Sequence, residues 1–387
     1  MSTSQPLKTS QPSKTGPPKT GPSKTEFWIP MDFVAPERMA QRANQVEADG
    51  WDGLKIFDTQ CLHGDAMVMM TTAALATDHL MLSLATSNPV TRHPSVAASA
   101  ICAIAAIAPR RIFYGIGRGD SSLAHIGGAP AKVGMFERYV AAVRKYTHGE
   151  PVSFDEIREW RLTDDVSTIT LGDAPEASVL KWLDHESEPP PIEVFASGPR
   201  VLGIAGRLAD RVSFGLGANP GRLKWAIETA HSARERAGLD PRTLEVCAIV
   251  CIGVCEDLAR ARRSVANMVA PSARFSVING PVKGPVTDSE REVYEAISRS
   301  YDMNHHGAHG SQVTVLTDEF IDDFAVVGAP QRCVERILEL HELGIDCFML
   351  SPPFSDADEA DIREGYRHVV EEVIPAVRAA THPAQSP

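Results

Sequence analysis

Five short polar stretches each follow an apolar run, and they carry the residue types that proton transfer and cofactor binding need. They are Asp58-Thr59-Gln60, Thr86-Ser87-Asn88-Pro89, Gly117-Arg118-Gly119-Asp120-Ser121-Ser122, Ser197-Gly198-Pro199-Arg200 and Gly215-Leu216-Gly217-Ala218-Asn219. Any one of them alone is an ordinary turn or helix cap. At the ends of successive parallel strands they would gather on one face. Asp58 and Asp120 are the carboxylates able to move a proton there. The glycines of the third stretch let backbone approach a flat ring or a phosphate. It is not the dinucleotide fingerprint, which needs glycine at the position of Asp120 and an acid ending the next strand. Asp120 reads equally as a proton donor or acceptor beside a substrate and as the N-cap of the next helix. Ser197-Gly198 ahead of Pro199 reads as a helix start that seats an anion on its free N–H groups, or as an ordinary capped helix.

Several other chemistries find no support. His305-His306-x-x-His309 sits among glycines 307 and 310, without the rigid helix and acid partner of a metal site. It is read as a substrate-facing loop, and no metal is expected. The seven cysteines are scattered, mostly inside apolar runs, so no disulfide framework is expected and a reducing, cytoplasmic setting fits. Cys247, Cys251 and Cys255 recur every fourth residue and are read as small buried hydrophobes on one face of a strand. No serine-hydrolase elbow, P-loop or HExxH motif occurs. Lys+Arg 38 against Asp+Glu 50 gives a net charge of −12, which argues against a general binder of nucleic acid or anionic membranes. No apolar run is long enough for a transmembrane helix.

The elements that must position these residues alternate. Apolar runs at 27–31, 53–57, 80–85, 111–116, 192–196, 211–216, 245–254 and 346–350 read as strands. Helical patterns at 36–49, 65–77, 94–108, 134–147, 199–209, 220–237, 256–269, 330–342 and 358–380 separate them. Unbroken apolar strands are buried on both faces, as in parallel sheets. Eight such repeats predict an α/β fold, a TIM (β/α)8 barrel with insertions after strands 4 and 7; an open doubly wound sheet is the runner-up. The insertions are residues 150–191, with a strand-like pair around Asp164-Asp165, and the polar stretch 270–325. Both read as walls or lids of a pocket at the C-terminal mouth. Residues 1–25 repeat Pro-x-Lys-Thr, contain no aromatic and no acid, and read as a disordered tail ahead of a single domain over 26–380.

The segments TSNPVTRHPSVAASA (86–100), RRIFYGIGRGDSSLAHIGGAPA (110–131), FASGPRVLGIAGRLADRVSFG (195–215) and VVGAPQRCVERILELHELGIDCFML (326–350) resemble the luciferase-like flavin and deazaflavin oxidoreductases. Within them, the chain is most similar to the coenzyme F420-dependent branch that includes methylenetetrahydromethanopterin reductase. The likeness runs in order from Glu26 to Val377. It implies a barrel with the cofactor ring at its mouth and a non-prolyl cis peptide behind the ring, within Leu84–Ser87. It assigns Asp58, Thr86, Ser87 and Asn88 to the ring. Gly117, Arg118, Gly119, Asp120 and Ser121 fall at the ring's edge and the substrate side. Ala196, Ser197, Gly198 and Pro199 fall to the cofactor's side chain and phosphate. Asp120 matches an acid that donates or accepts a proton, with Asp58 the next candidate. Thr59 stands where sugar-phosphate dehydrogenases of the branch carry histidine, which puts that substrate in doubt. The implied function is hydride transfer between coenzyme F420 and a small organic substrate. The alternatives are an FMN-dependent monooxygenase using reduced flavin and oxygen, and a non-catalytic flavin-binding barrel, against which Asp58 and Asp120 weigh. A homodimer through the Ala- and Met-rich helices 65–77 and 94–108 is expected.

Overall fold

The structure, a computed structural model, describes residues 25–31, 34–184, 186–305, 310–353 and 358–382. Its strands are β1 Glu26–Pro30, β2 Gly53–Ile56, β3 Met81–Leu84, β4 Ile112–Ile116, β5 Ile192–Ala196, β6 Arg211–Phe214, β7 Glu245–Val254, β8 Val326–Gly328 and β9 Cys347–Ser351. All pairings between them are parallel, and β1 to β7 and β9 follow one another around a ring that the β6–β7 and β9–β1 pairings close. This is a TIM barrel rather than an open sheet. The short β8 was not foreseen; it pairs only with Ile252–Val254, where β7 runs on past β9.

Helices cover the ring. They are α1 Met39–Ala48, α2 Ala66–Ala76, α3 Pro94–Ile107, α4 Ser121–Ala124, α5 Val133–Thr147, α6 Pro199–Leu208, α7 Pro220–Arg236 and α8 Leu258–Arg274. They continue with α9 Asp288–Ser300, α10 Asp318–Phe324, α11 Pro330–His341, α12 Glu359–His368 and α13 Ile374–Thr381. A π-helical turn, Val369–Val373, joins the last two. The sequence signals are local: Asp65 caps α2 through its side chain, and α3, α6, α7 and α11 each begin on a proline, where the missing N–H costs nothing. None of the described helices is long and apolar enough to cross a membrane.

Strand residues alternate between the helix layer and the barrel interior. Outward residues such as Leu54, Leu82, Tyr114, Val194 and Val212 join the main apolar core. The interior is unusually polar for a barrel core. Trp28 fills it, with the Lys55 ammonium 4.6 Å and the Arg211 guanidinium 5.0 Å from its ring and Phe113 edge-on at 5.5 Å. Lys55 and Glu193, both fully buried, form an ion pair, and Ser83 and Ser213 donate to the same carboxylate. At the N-terminal end Arg211 bridges Glu26 and Glu245. Burial alone would raise the Glu193 carboxyl, but the charges of Lys55 and Arg211 and the hydrogen bonds it accepts hold it below its ordinary value.

Four expectations need correction. The strand-like pair in the first insertion is two short 3₁₀ turns, Arg158–Trp160 and Val166–Thr168; most of its residues, Leu162 and Ile169 among them, are exposed and have no sheet to join. Its contacts run to α3 and α5: Trp182 donates to Ser99, Arg138 pairs with Glu159, and Trp160 leans on Tyr139 while donating to the Pro89 carbonyl. The stretch 270–325 is largely helical. It extends α8 to Arg274 and adds α9 and α10, whose Val293, Tyr294, Ile297, Phe320 and Phe324 build a satellite core on the end of β7. Thr25, read as tail, is buried and bonds His382 and Thr381; residues 1–24 lie outside the described residues. The cysteines are free, but only Cys247 and Cys251 belong to β7. Cys255 lies one residue past its end.

Candidate active site

The polar stretches do meet at the C-terminal mouth, and they divide into a rear wall, an acid and a cationic rim. The rear wall is rigid. Asp58, 3% exposed, accepts from Arg92 at 2.5 Å and from Gln60 at 2.8 Å, and Arg92 also pairs with Asp65. Asn88 is buried and spends its carbonyl oxygen on the N–H groups of Val90 and Thr91. Ser87 is buried beside the Tyr114 hydroxyl, and its backbone pairs with Gly115 and Gly117. The Ala85–Thr86 peptide is cis, within the span expected. A Cβ on Gly115 would stand 1.7 Å from the Leu84 carbonyl oxygen, so any side chain there would force backbone to shift. Of the side chains assigned to the ring, Asp58, Ser87 and Asn88 are thus committed to the wall. Thr86 remains half-exposed beside Gly117, where an added Cβ would come 2.9 Å from its hydroxyl.

Asp120 precedes α4, yet its side chain makes no cap hydrogen bond. Of its two readings, side-chain capping is therefore absent. The carboxylate turns instead to Arg274, at the end of α8, in a two-pronged ion pair whose Nη2–Oδ1 arm is 2.7 Å. The Arg274 guanidinium in turn lies 4.4 Å from the ring centre of Tyr301. Burial pushes the Asp120 carboxyl up and Arg274 pulls it back, leaving it above the ordinary carboxylate value. Gly119 holds φ +77° and packs on Leu123 and Asn88, which turns the chain so that Asp120 faces the mouth.

The cationic rim lies where the ends of β4 and β5 meet. Ala196 is buried; Gly198 caps α6 with no side-chain acceptor for the first N–H groups, and Pro199 opens the helix. Arg118 and Arg200 stand close enough that burial and the Arg200 charge together lower the Arg118 pKa. Arg118 donates to the Ala131 carbonyl at 2.6 Å. Among the described residues neither arginine has an acidic partner. Ser197 donates to the Phe275 carbonyl at 2.8 Å, so the second insertion touches the mouth at Asp120 and again here. Ser121 is half-exposed on the first turn of α4.

Arg274 and Tyr301 were missed because each meets its partner across a long sequence separation; Arg274 and Asp120 are 154 residues apart. The helix that brings Tyr301 near was legible, since Thr287 and Glu290 form a capping box. No group of metal ligands occurs among the described residues. His305 bonds Asp302 in a 3₁₀ turn, and His306 and His309 lie outside the described residues.

The chain is 25% identical over 344 residues to a 5,10-methylenetetrahydromethanopterin reductase of Methanolobus tindarius, covering 87% of this chain and 96% of that protein. It is also 25% identical over 367 residues to an F420-dependent glucose-6-phosphate dehydrogenase of Beutenbergia cavernae, covering 92% and 96%. Among solved structures, the coenzyme F420-dependent tetrahydromethanopterin reductase of Methanopyrus kandleri superposes with a TM-score of 0.69 at 22% identity, over 92% of this chain and 100% of that one. The family model for luciferase-like monooxygenases matches residues 11–347, and with the barrel, the cis peptide and the polar mouth in place the chain belongs to that family.

Proposed function

We propose that this protein is an F420-dependent oxidoreductase that moves a hydride between the deazaflavin and a small organic substrate, with Asp120 exchanging the accompanying proton. The observation that carries the proposal is a carboxylate at the mouth that is not used as a cap, on a barrel whose relatives are named as F420-dependent enzymes. When bound, the deazaflavin supplies the hydride chemistry. The residues present suit it. Arg118 and Arg200, which have no acidic partner among the described residues, form with the uncapped N–H groups of α6 a donor set for an anionic side chain. Thr86 and Gly117 offer a flat surface to a ring edge, backed by the wall of Asp58, Ser87 and Asn88.

The protein's task is then to hold the two carbons within ~3–3.5 Å, exclude water and move one proton. Asp120 does the last. Asp58, tied to Arg92, supports the wall rather than exchanging protons. An FMN-dependent monooxygenase is the second reading, favoured by the family's own description. Titration of the purified protein with oxidised F420 and separately with FMN, followed by fluorescence, decides between them. Tight binding of F420 and weak binding of FMN is expected; the reverse overturns the proposal.

We infer further that the protein is a homodimer. Val68 and Leu75 on α2 and Val96 and Ile107 on α3 are exposed on two helices that carry no charged residue. Light scattering at micromolar concentration is expected to give twice the chain mass, and a monomer mass overturns the inference.

A further inference from the structure

We propose that Arg274 is a positioning residue for Asp120, carried to the mouth by the insertion after β7, which holds the carboxylate ionised and aimed so that it accepts the proton released as the substrate is oxidised. The proposal rests on the function given above. Its chemistry is balanced: the substrate carbon gives its hydride to the deazaflavin, the adjoining O–H or N–H proton passes to Asp120, and the carbon–heteroatom bond gains its second bond. Asp120 later returns that proton to water.

Four observations support this. First, the ion pair is two-pronged, the geometry that fixes a carboxylate's orientation as well as its charge. Second, Arg274 pairs with no other acid among the described residues, so it is not a general surface charge. Third, it is built in. Its guanidinium rests against the ring of Tyr301, just past α9, and the next residue, Phe275, accepts the Ser197 hydroxyl at its carbonyl. The insertion therefore meets both the β4 and the β5 loops of the mouth. Fourth, both partners are largely covered, with side chains 12% and 15% exposed, so water screens their attraction only partly.

Among the described residues, the charged and titratable groups that bear on Asp120 are Arg274 on α8 and Tyr301 after α9, while the rim arginine Arg118 stands two residues away along the chain with Arg200 beside it. Burial raises the Tyr301 hydroxyl well above its ordinary value, so it is neutral through the working range and contributes no charge. Of these arginines only Arg274 is ion-paired with Asp120. Arg274 is thus the group whose removal most changes the field at Asp120. An opposite charge at contact lowers a carboxyl by about 1–3 pH units.

The test needs no substrate in its first arm. Protein labelled with 13C at the aspartate carboxyls is titrated by NMR, with Asp120→Asn identifying the Asp120 signal. In Arg274→Met the Asp120 midpoint is expected to rise by about one unit or more, and in Arg274→Lys to stay near wild type. If Arg274→Met does not fold, Arg274→Gln, which is shorter but keeps a hydrogen-bond donor and carries no charge, is measured instead with the same expectation. An unmoved midpoint in a folded neutral variant overturns the proposal. In the second arm, the acid limb of kcat/KM for substrate oxidation is expected to move with the carboxyl. A moved carboxyl with an unmoved limb also overturns it. Failure of F420 to bind would sink the function above, and it would leave the NMR result standing as a separate fact.

Discussion

The barrel holds buried charges at two levels, and they are wired differently. In the interior, Glu193 is met by Lys55, Ser83 and Ser213, Lys55 is sandwiched between Trp28 and Phe195, and Arg211 is shared by Glu26 and Glu245. Every charge there is answered at least twice by groups of the same barrel. At the mouth, Asp120 is answered once, by a residue of an insertion, and among the described residues Arg118 and Arg200 have no acidic partner. A closed network has no reason to exchange partners, and its cost of desolvation is met inside the fold. An open one leaves capacity for a ligand. The contrast separates charge that holds the barrel together from charge that is available for chemistry.

The contrast breaks first if Asp120 proves dispensable. Asp120→Asn keeps the shape and removes the titrating proton, so turnover should fall about 10²–10⁴-fold with a known substrate while cofactor affinity and melting temperature hardly change. Near-wild-type turnover would remove Asp120 from the chemistry. An oxygen requirement in the same assay would move the assignment to the monooxygenase reading.

Lys55→Met makes the opposite test. It leaves a fully buried carboxylate without its cation and should cost about 3–5 kcal/mol of stability. Lys55→Met with Glu193→Leu should recover most of the loss, since the unpaired charge is gone. The pH dependence follows. In the wild type the Glu193 value is depressed, so its stabilisation is complete above the ordinary glutamate value and is lost as pH falls through the lower folded value. In Lys55→Met burial dominates and the folded value rises above the unfolded one. The penalty is then full at neutral pH and fades on acidification. Denaturant melts of both proteins at pH 7 and pH 4 should show the gap narrowing; a constant gap would mean that the folded Glu193 value has not risen in the variant.

Next comes the junction between the two levels. Gly115 sits in β4 opposite Glu193 in the register and directly against the Leu84 carbonyl. Gly115→Ala forces backbone to move and should cost about 1–3 kcal/mol, with weakened cofactor binding because the rear wall shifts with it. Loss of stability without loss of binding would show that the wall does not depend on this contact.

These residues also show what was legible. The eight barrel strands were, because apolar runs between helix patterns are local, and so were the polar strand ends. The cis peptide position came through the family likeness, since nothing in the composition of Leu84–Ser87 marks it. The interior was not legible: Lys55 and Glu193 look like solvent-facing interruptions of apolar strands until closure places them opposite one another. Arg274 was hidden for the same reason, as a helix-end arginine in a stretch read as loop. The insertion's helices were a failure of reading, because Thr287-Asp288-Ser289-Glu290 is a capping box and Val293, Tyr294 and Ile297 keep helical spacing behind it. Chemistry that depends on closure cannot be read from neighbours along the chain.

The smallest expected effect belongs to the rim. Arg118→Gln and Arg200→Gln each remove a cation without an acidic partner among the described residues, so neither breaks an ion pair seen there and both should melt within a degree or two of wild type. If the rim holds the cofactor's anionic side chain, each should weaken F420 binding about 3- to 10-fold, the modest range of partly solvated charge contacts. Removing one arginine should also relieve the other, because burial and the Arg200 charge now press on Arg118. The double variant is therefore expected to lose less than the product of the two single losses. Salt provides the control. Raising ionic strength from 0.01 to 0.5 M should weaken wild-type binding more than binding to the double variant, since only the former depends on screened charge. Equal salt dependence in both would place the anionic group elsewhere. A melting loss matching the binding loss would turn the rim into part of the scaffold, and the difference between the two ends of the barrel would shrink to Asp120 alone.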